Sequence, residues 1–297
     1  MNSSSLSNIW WHSIRPKTLS ISITPVMTGN ALAWHDQLHI SWTTLLITLL
    51  AALCIQIGTN LYNDAADFER GADNEHRLGP TRATQHGLLS PHTIKLAALI
   101  SFSSAFILGI YLAWIGGWPI IILGLSSIAC GYAYTAGPKP IAYSATGELF
   151  VILFFGIFAV AGSYYLQTNH ISLISLLIGS AIGSMAAAIL LINNYRDLDS
   201  DRLANKLTLV HYIGRHSARY FYSALLVYPY VLSILLAVSI QNAITGTLLC
   251  LLSIPVTFQL IKLLFILPVS EQLNRLLART AQLQLLFSVL FSIGLLL

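Results

Sequence analysis

Two short stretches of this 297-residue chain set oxygen-bearing side chains at helical spacing. In the first, Gln56, Asn60, Asp64 and Asp67 are separated by four, four and three residues, so on a helix they form one stripe. In the second, "NNYRDLDSDRLANKLT", Asn193, Asp197 and Asp201 are again four apart. Carboxylates at a helix C-terminus oppose its dipole and repel one another, each at a cost of roughly 0.3–1 kcal/mol. Two such stripes call for an occupant that offsets the cost. Oxygen donors without Cys, and without His in the stripes, suit a hard cation such as Mg²⁺, which keeps waters and is shared with substrate phosphates. The bases interleaved with them (Arg70, Arg77, Arg82, Arg196, Arg202 and Lys206) would be redundant around a bare cation. They make sense where the metal helps to hold a diphosphate.

The elements that must carry these stripes are apolar. The chain is 56% hydrophobic and 9% charged, against about 25% charged in soluble domains. It reads as an all-α integral membrane protein, one domain over 1–297, with nine spans: 18–34, 42–63, 92–114, 118–135, 145–166, 171–195, 217–238, 242–264 and 280–297. Arg15 and Lys17 ahead of an apolar run ending in "ALA" mimic a leader peptide. The long polar start, the interruption by Pro25 and the later spans of the same kind argue for a retained helix.

Short connections such as "HDQLHIS", "GG", "QTNH" and "SIQNA" alternate with longer charged ones, and all fifteen Lys and Arg fall on one side of this scheme. By the positive-inside rule that side is cytoplasmic, which places the N-terminus inside and the C-terminus outside. Ten of the eleven acids lie there too, with Asp36 alone on the other side. Acids barely affect orientation, so their clustering has another cause. A diphosphate held at the cytoplasmic mouth of an apolar bundle, with a long greasy chain as the rest of the molecule, describes a prenyl diphosphate. Neutralising the leaving group allows the allylic C–O bond to ionise to a carbocation.

In these residues the chain resembles the UbiA-type intramembrane aromatic prenyltransferases, marked by an N-x-x-x-D-x-x-D type motif after helix two and D-x-x-x-D after helix six. Asn60, Asp64 and Asp67, with Asp73 beyond, and Asp197 with Asp201 stand in those places. "RPKTL" at Arg15 to Leu19, "RLGPTRATQHG" at Arg77 to Gly87, "YTAGPKPIAYSATGELFVILFFG" at Tyr134 to Gly156, and "NNYRD" are similar to the branch that prenylates 1,4-dihydroxy-2-naphthoate. The resemblance spans about residues 10–220. It implies nine helices around a central cavity, Mg²⁺, a polyprenyl diphosphate donor, and a bacterial cell membrane location with the site facing the cytoplasm. It further implies attack at the acceptor's carboxylate-bearing carbon with loss of CO₂, giving demethylmenaquinone. The family commonly has "GK-R/K-T" after the second motif, whereas this chain reads "NKLT" and then "LVHYIG", placing Asn205, Leu207 and His211 there while keeping Lys206 and Thr208.

On this reading Asp64, Asp67, Asp197 and Asp201 are the catalytic metal ligands, with Asn60 and Asn193 as neutral oxygen donors. Asp73 joins them if the loop after Gly71 folds back. Arg77, Arg82, Lys139, Arg196 and Lys206 are candidates for the diphosphate or the acceptor carboxylate, or serve topology alone. Arg15 and Lys17 either reach the acceptor carboxylate or anchor the interface. Glu148 meets the acceptor hydroxyls or pairs with a cation. Tyr132, Tyr134 and Tyr143 flank the carbocation or acceptor, or belong to an aromatic belt. The nine histidines and the apolar-run cysteines Cys54, Cys130 and Cys250 carry no metal or redox spacing and are given no chemistry. The partners expected are the two substrates and the lipid bilayer, with no nucleic acid and no obligate protein.

Rival readings are a related enzyme for another acceptor such as 4-hydroxybenzoate, and a cation-coupled transporter. A transporter would place its acids near the midplane on broken helices, not at one face. Phosphatidyl transfer from a CDP-lipid is disfavoured because its D-G-x-x-A-R signature is missing.

Overall fold

The computed structural model describes residues 6–73, 78–80, 82–239 and 245–297, and every element in it is helical. A short amphipathic helix α1 (Leu6–Ser13) precedes α2 (Pro16–Gln37), with Arg15 in the left-handed region at φ 56° turning the chain between them. Then come α3 (Trp42–Glu69), α4 (Pro91–Ala133), α5 (Gly147–Ile152), a π turn over Leu153–Ile157, and α6 (Phe158–Thr168). The second half is α7 (Leu173–Leu203), α8 (Leu209–Ser239), a 3-10 segment Thr245–Ser253 leading into α9 (Ile254–Ile266), and α10 (Gln272–Leu296).

Among the described residues seven helical segments are long and apolar enough to cross a membrane. One of these is the 43-residue α4, which breaks at Gly117 (φ 63°, ψ −152°) and doubles back. A Cβ added to Gly131 would lie 3.3 Å from the Phe102 ring, so the two limbs run side by side. Gly supplies the positive φ that this reversal requires. Counting both limbs and adding α2, which is less apolar, gives the nine segments expected from the sequence.

Helix boundaries differ from the apolar runs where charge begins. Both α3 and α7 continue past the hydrocarbon-length stretch to Glu69 and Leu203, carrying their acidic stripes on regular helix. Likewise α10 starts at Gln272, eight residues before the expected 280, because its first two turns interleave Gln272, Asn274, Arg275 and Arg279 with buried leucines and so do not form an apolar run. Ser41, Ser90 and Ser172 cap α3, α4 and α7 by accepting from backbone N–H groups three residues on.

The most deeply buried helix is α7, which packs with α2, α5 and α8 to α10 into one continuous core. Its crossing with the π turn is made close by glycines: a Cβ on Gly156 would meet the Gly183 Cα at 2.4 Å. Gly179 and Gly183, one turn apart, leave room for that approach. The first half of the chain is looser. Helices α2 to α6 enclose a cavity of about 470 Å³ lined almost wholly by apolar side chains, including Phe150, Phe154 and Phe158. It runs from Gln56, Thr59 and Tyr134 at the acidic end to Leu112, Ile120 and Leu166 at the other, and Ile120 to Tyr134 alone is roughly 21 Å of helix rise.

Candidate active site

The acidic ends of α3 and α7 lie at the same end of the bundle, and one tyrosine joins them. The short 3-10 turn Ile141–Tyr143 presents the Tyr143 hydroxyl to Asp67 Oδ1 at 3.0 Å, while Lys206 Nζ lies over the same ring, 5.8 Å from its centroid. Lys206 in turn donates to Asp201 Oδ1 at 3.3 Å, so Asp67, Tyr143, Lys206 and Asp201 form one connected row between the two motifs. Burial, and after it the Asp67 carboxylate, hold the Tyr143 phenol well above its ordinary pKa, so it stays a donor.

Each motif is laced to its own bases. Arg82 Nη1 reaches Asp67 at 3.0 Å and Asp73 at 2.9 Å, with all three side chains buried. Burial alone would lower the Arg82 pKa, but Asp67, Asp73 and Asp64 outweigh it and hold the guanidinium charged. Asp73 does fold back onto the site, as the loop after Gly71 requires. In the second motif Arg196 grips Asp197 with two bonds, Nε to Oδ1 at 2.7 Å and Nη2 to Oδ2 at 2.5 Å, and also donates to Asn193 Oδ1 at 2.8 Å. Glu148 accepts from Asn194 Nδ2 at 2.9 Å, so its contact is an amide and not a cation.

The polar side chains along the inner side of α3 divide by what they bind. Asn63 and Asp67 face the site: Asn63 Nδ2 donates to Asp67 Oδ2 at 3.0 Å and Asn63 Oδ1 accepts from Arg15 at 3.0 Å. Asn60 and Asp64 have other partners. Asn60 Nδ2 donates to the Ile14 carbonyl at 3.1 Å, and the Asp64 oxygens accept from the Ala83 and Thr84 amides and the Thr84 hydroxyl. In the structure Asp64 therefore holds down the loop that carries Arg82.

The remaining sequence candidates separate as follows. Arg15 is drawn into the site through Asn63, whereas Lys17 and Lys139 are exposed. Tyr134 lines the acidic end of the cavity. Arg77 lies outside the described residues.

Two residues here were not singled out from the sequence. Asn63 was legible: Asn63 with Asp67 repeats the four-residue step of Asn193 with Asp197. Asn274 had no signal of its own. From the first turn of α10 it accepts from Arg196 Nη1 at 2.5 Å and donates to the Leu78 carbonyl at 3.0 Å, tying the second motif to the loop after the first.

Among the described residues no three carboxylate, His or Cys side chains converge closely enough to hold a metal ion as they stand. The donor chemistry nevertheless fits a hard cation. Asp201 Oδ2 and Glu148 Oε2 are buried without a hydrogen-bond partner among the described residues, and the side chains of the two motifs offer carboxylate and amide oxygens with no sulfur or imidazole. Mg²⁺ is ordinarily bound by one or two carboxylates plus waters and substrate phosphates, so a closed protein cage is not required.

The sequence matches the UbiA prenyltransferase family over residues 22–286, most of the chain. This chain belongs to that family. Among its relatives, the 1,4-dihydroxy-2-naphthoate octaprenyltransferase of Haemophilus influenzae is 33% identical, with 97% of this chain and 96% of that one covered. The Bacillus subtilis protein of the same name is 34% identical, over 98% of this chain and 93% of that one. In fold the chain is similar to a UbiA homolog from Archaeoglobus fulgidus bound to GPP and Mg²⁺, with a TM-score of 0.69, 15% identity, and 97% and 99% of the two chains covered. An apo UbiA homolog from Aeropyrum pernix K1 gives a TM-score of 0.70 at 15% identity, over 95% and 98% of the two chains. In this UbiA family member, then, the connected row of Asp67, Tyr143, Lys206 and Asp201 stands at the mouth of the apolar cavity.

Proposed function

We propose that this chain transfers a polyprenyl group from its diphosphate to 1,4-dihydroxy-2-naphthoate. A C–C bond forms at the ring carbon bearing the carboxylate, the C–O bond to diphosphate breaks, and CO₂ leaves as the ring regains its aromatic electrons, giving the reduced, quinol form of demethylmenaquinone. The observation that carries this reading is the position of two base-laced carboxylate groups at one end of a cavity of about 470 Å³ walled by Phe and aliphatic side chains. The names of the bacterial relatives support the same acceptor.

In this reading Asp67, Asp73, Asp197 and Asp201 would hold Mg²⁺, with Asn63 and Asn193 as neutral neighbours. Bound Mg²⁺ supplies neutralisation of the diphosphate leaving group. Arg82, Arg196 and Lys206, now paired with those carboxylates, turn to the diphosphate oxygens, so each ion pair exchanges one partner for a substrate group. The prenyl chain lies among Phe150, Phe154 and Phe158, which exclude water from the cation. Arg15, Tyr134 and Glu148 line the acceptor side, where Arg15 meets the carboxylate. By the distribution of Lys and Arg this end faces the cytoplasm of a bacterial cell.

The test is turnover in washed membranes with Mg²⁺, a labelled polyprenyl diphosphate and either acceptor. Prenylation of dihydroxynaphthoate with release of CO₂ is expected. Turnover of 4-hydroxybenzoate alone would reject the acceptor assignment, and equal turnover in EDTA would reject the metal.

A further inference from the structure

A second cavity, of about 290 Å³, opens between α9 and α10 and is lined by Val256, Gln259, Leu260, Arg279, Gln282, Leu283 and Leu286. It lies apart from the acidic motifs: Arg279 is five residues beyond Asn274, which turns it about 140° round α10 from the side chain that holds Arg196. Gln259, Arg279 and Gln282 are all exposed on what must be a lipid-facing flank. Polar side chains so placed are costly at membrane depth unless they meet a polar partner. Among the described residues Arg279 has no carboxylate within ion-pair distance and the two glutamines have no side-chain hydrogen bonds.

Depth and order decide what the partner is. Arg279 is seven residues into α10, roughly 10 Å from its start, near the boundary between headgroups and hydrocarbon. Gln259, seven residues before the end of α9, lies level with Arg279, Gln282 and Val256 lie about one turn deeper, and Leu286 deeper again. A cation and an amide at the rim, a second amide one turn down and aliphatic walls beside and below it match a phosphate, then ester carbonyls, then acyl chains. Lys262 and Arg275 stand on the same helix faces toward the surface, at three residues from Gln259 and four from Arg279, and add positive charge. The acid nearest in sequence is the exposed Glu271 in the turn.

We propose that the α9–α10 groove is a binding site for an anionic glycerophospholipid, its phosphate on Arg279 and its ester carbonyls on Gln259 and Gln282. The test is native mass spectrometry of the purified protein released from nanodiscs of phosphatidylcholine with a minor share of phosphatidylglycerol. The wild-type chain should retain phosphatidylglycerol preferentially. Arg279→Gln should reduce that preference at least tenfold, Leu286→Trp should reduce it by filling the groove without touching the charge, and Arg202→Gln, a matched loss of one exposed cation, should leave it unchanged. Equal retention of both lipids by the wild type, an unchanged preference in both groove variants, or displacement by millimolar inorganic phosphate would overturn the assignment. Co-release of the prenylated product in place of phospholipid would also overturn it.

Discussion

Tyr143 donates to Asp67 at 3.0 Å while its ring lies beneath Lys206, so one side chain from the α4–α5 connection spans the two acidic motifs. A hydrogen bond to a charged group contributes about 1.5–3 kcal/mol, and its loss leaves an Asp67 oxygen misdirected rather than absent. Tyr143→Phe keeps the ring and so the Lys206 contact. It should therefore lower kcat/KM for the prenyl diphosphate by about tenfold to a hundredfold, with little change in thermal stability. Tyr143→Ala, which removes the ring as well, should cost more. Equal effects of the two variants in a steady-state assay would show that the hydroxyl is not the working part.

Asn274 is the reach of α10 into the site. Its amide connects Arg196 at 2.5 Å with the Leu78 carbonyl at 3.0 Å, and no group of its own is placed to contact a reacting atom. On the proposed function it is a positioning residue, holding the Arg196 fork in place for the diphosphate. Asn274→Ala should raise KM for the prenyl diphosphate several-fold to tenfold while changing KM for the acceptor little, and Asn274→Gln should recover part of the loss. A uniform drop in kcat with both KM values unchanged would contradict this.

Asp201 and Asp64 look equivalent in sequence, each an acid in a repeating motif, yet their surroundings predict opposite behaviour. Asp201 has a buried oxygen without a partner among the described residues, whereas the Asp64 oxygens are taken up by Ala83 and Thr84. Asp201→Asn should raise the Mg²⁺ concentration for half-maximal activity by about an order of magnitude, as a lost charged ligand would, and leave melting nearly unaffected. Asp64→Ala should instead destabilise the loop by about 1–3 kcal/mol, the cost of stranding buried donors, visible in a thermal melt without Mg²⁺. A large Mg²⁺ shift in Asp64→Asn would return it to the ligand set.

How far the sequence reached depends on what each residue answers to. Spans, their order and the two acidic stripes were legible because hydrocarbon thickness and helical periodicity constrain them residue by residue. The use of the α3 stripe was half legible: spacing puts Asn60, Asn63, Asp64 and Asp67 on one side of the helix, and only the packing of α1 and the Ala83–Thr84 loop decides that Asn60 and Asp64 bind there while Asp67 meets Arg82 and Tyr143. Asn274 was not legible, since nothing local marks a polar residue in a polar first turn. Its meaning comes from a contact 196 residues away along the chain. Ion pairing of Arg82 with Asp67 and Asp73 was foreseeable as attraction, but not that one guanidinium would bridge both.

The glycine crossing of α7 with the π turn links the apolar packing to the site. A Cβ at Gly183 would stand 2.5 Å from the Ile152 carbonyl oxygen and 2.9 Å from its Cα, and backbone cannot yield as a side-chain tip does. Gly183→Leu must therefore push α5 off α7, at about 1–3 kcal/mol for overpacking. The displaced segment carries Glu148, whose partner Asn194 stays on α7 just ahead of Arg196. Lower melting in detergent should therefore come with a raised KM for the aromatic acceptor, because Glu148 moves relative to the second motif. Gly162→Ala is the comparison: its Cβ meets only the Leu123 side-chain tip at 2.5 Å, on the cavity wall. It should narrow the prenyl channel with a smaller stability cost. Its signature in the same assay is a changed preference among prenyl diphosphates of different length, with the acceptor KM held.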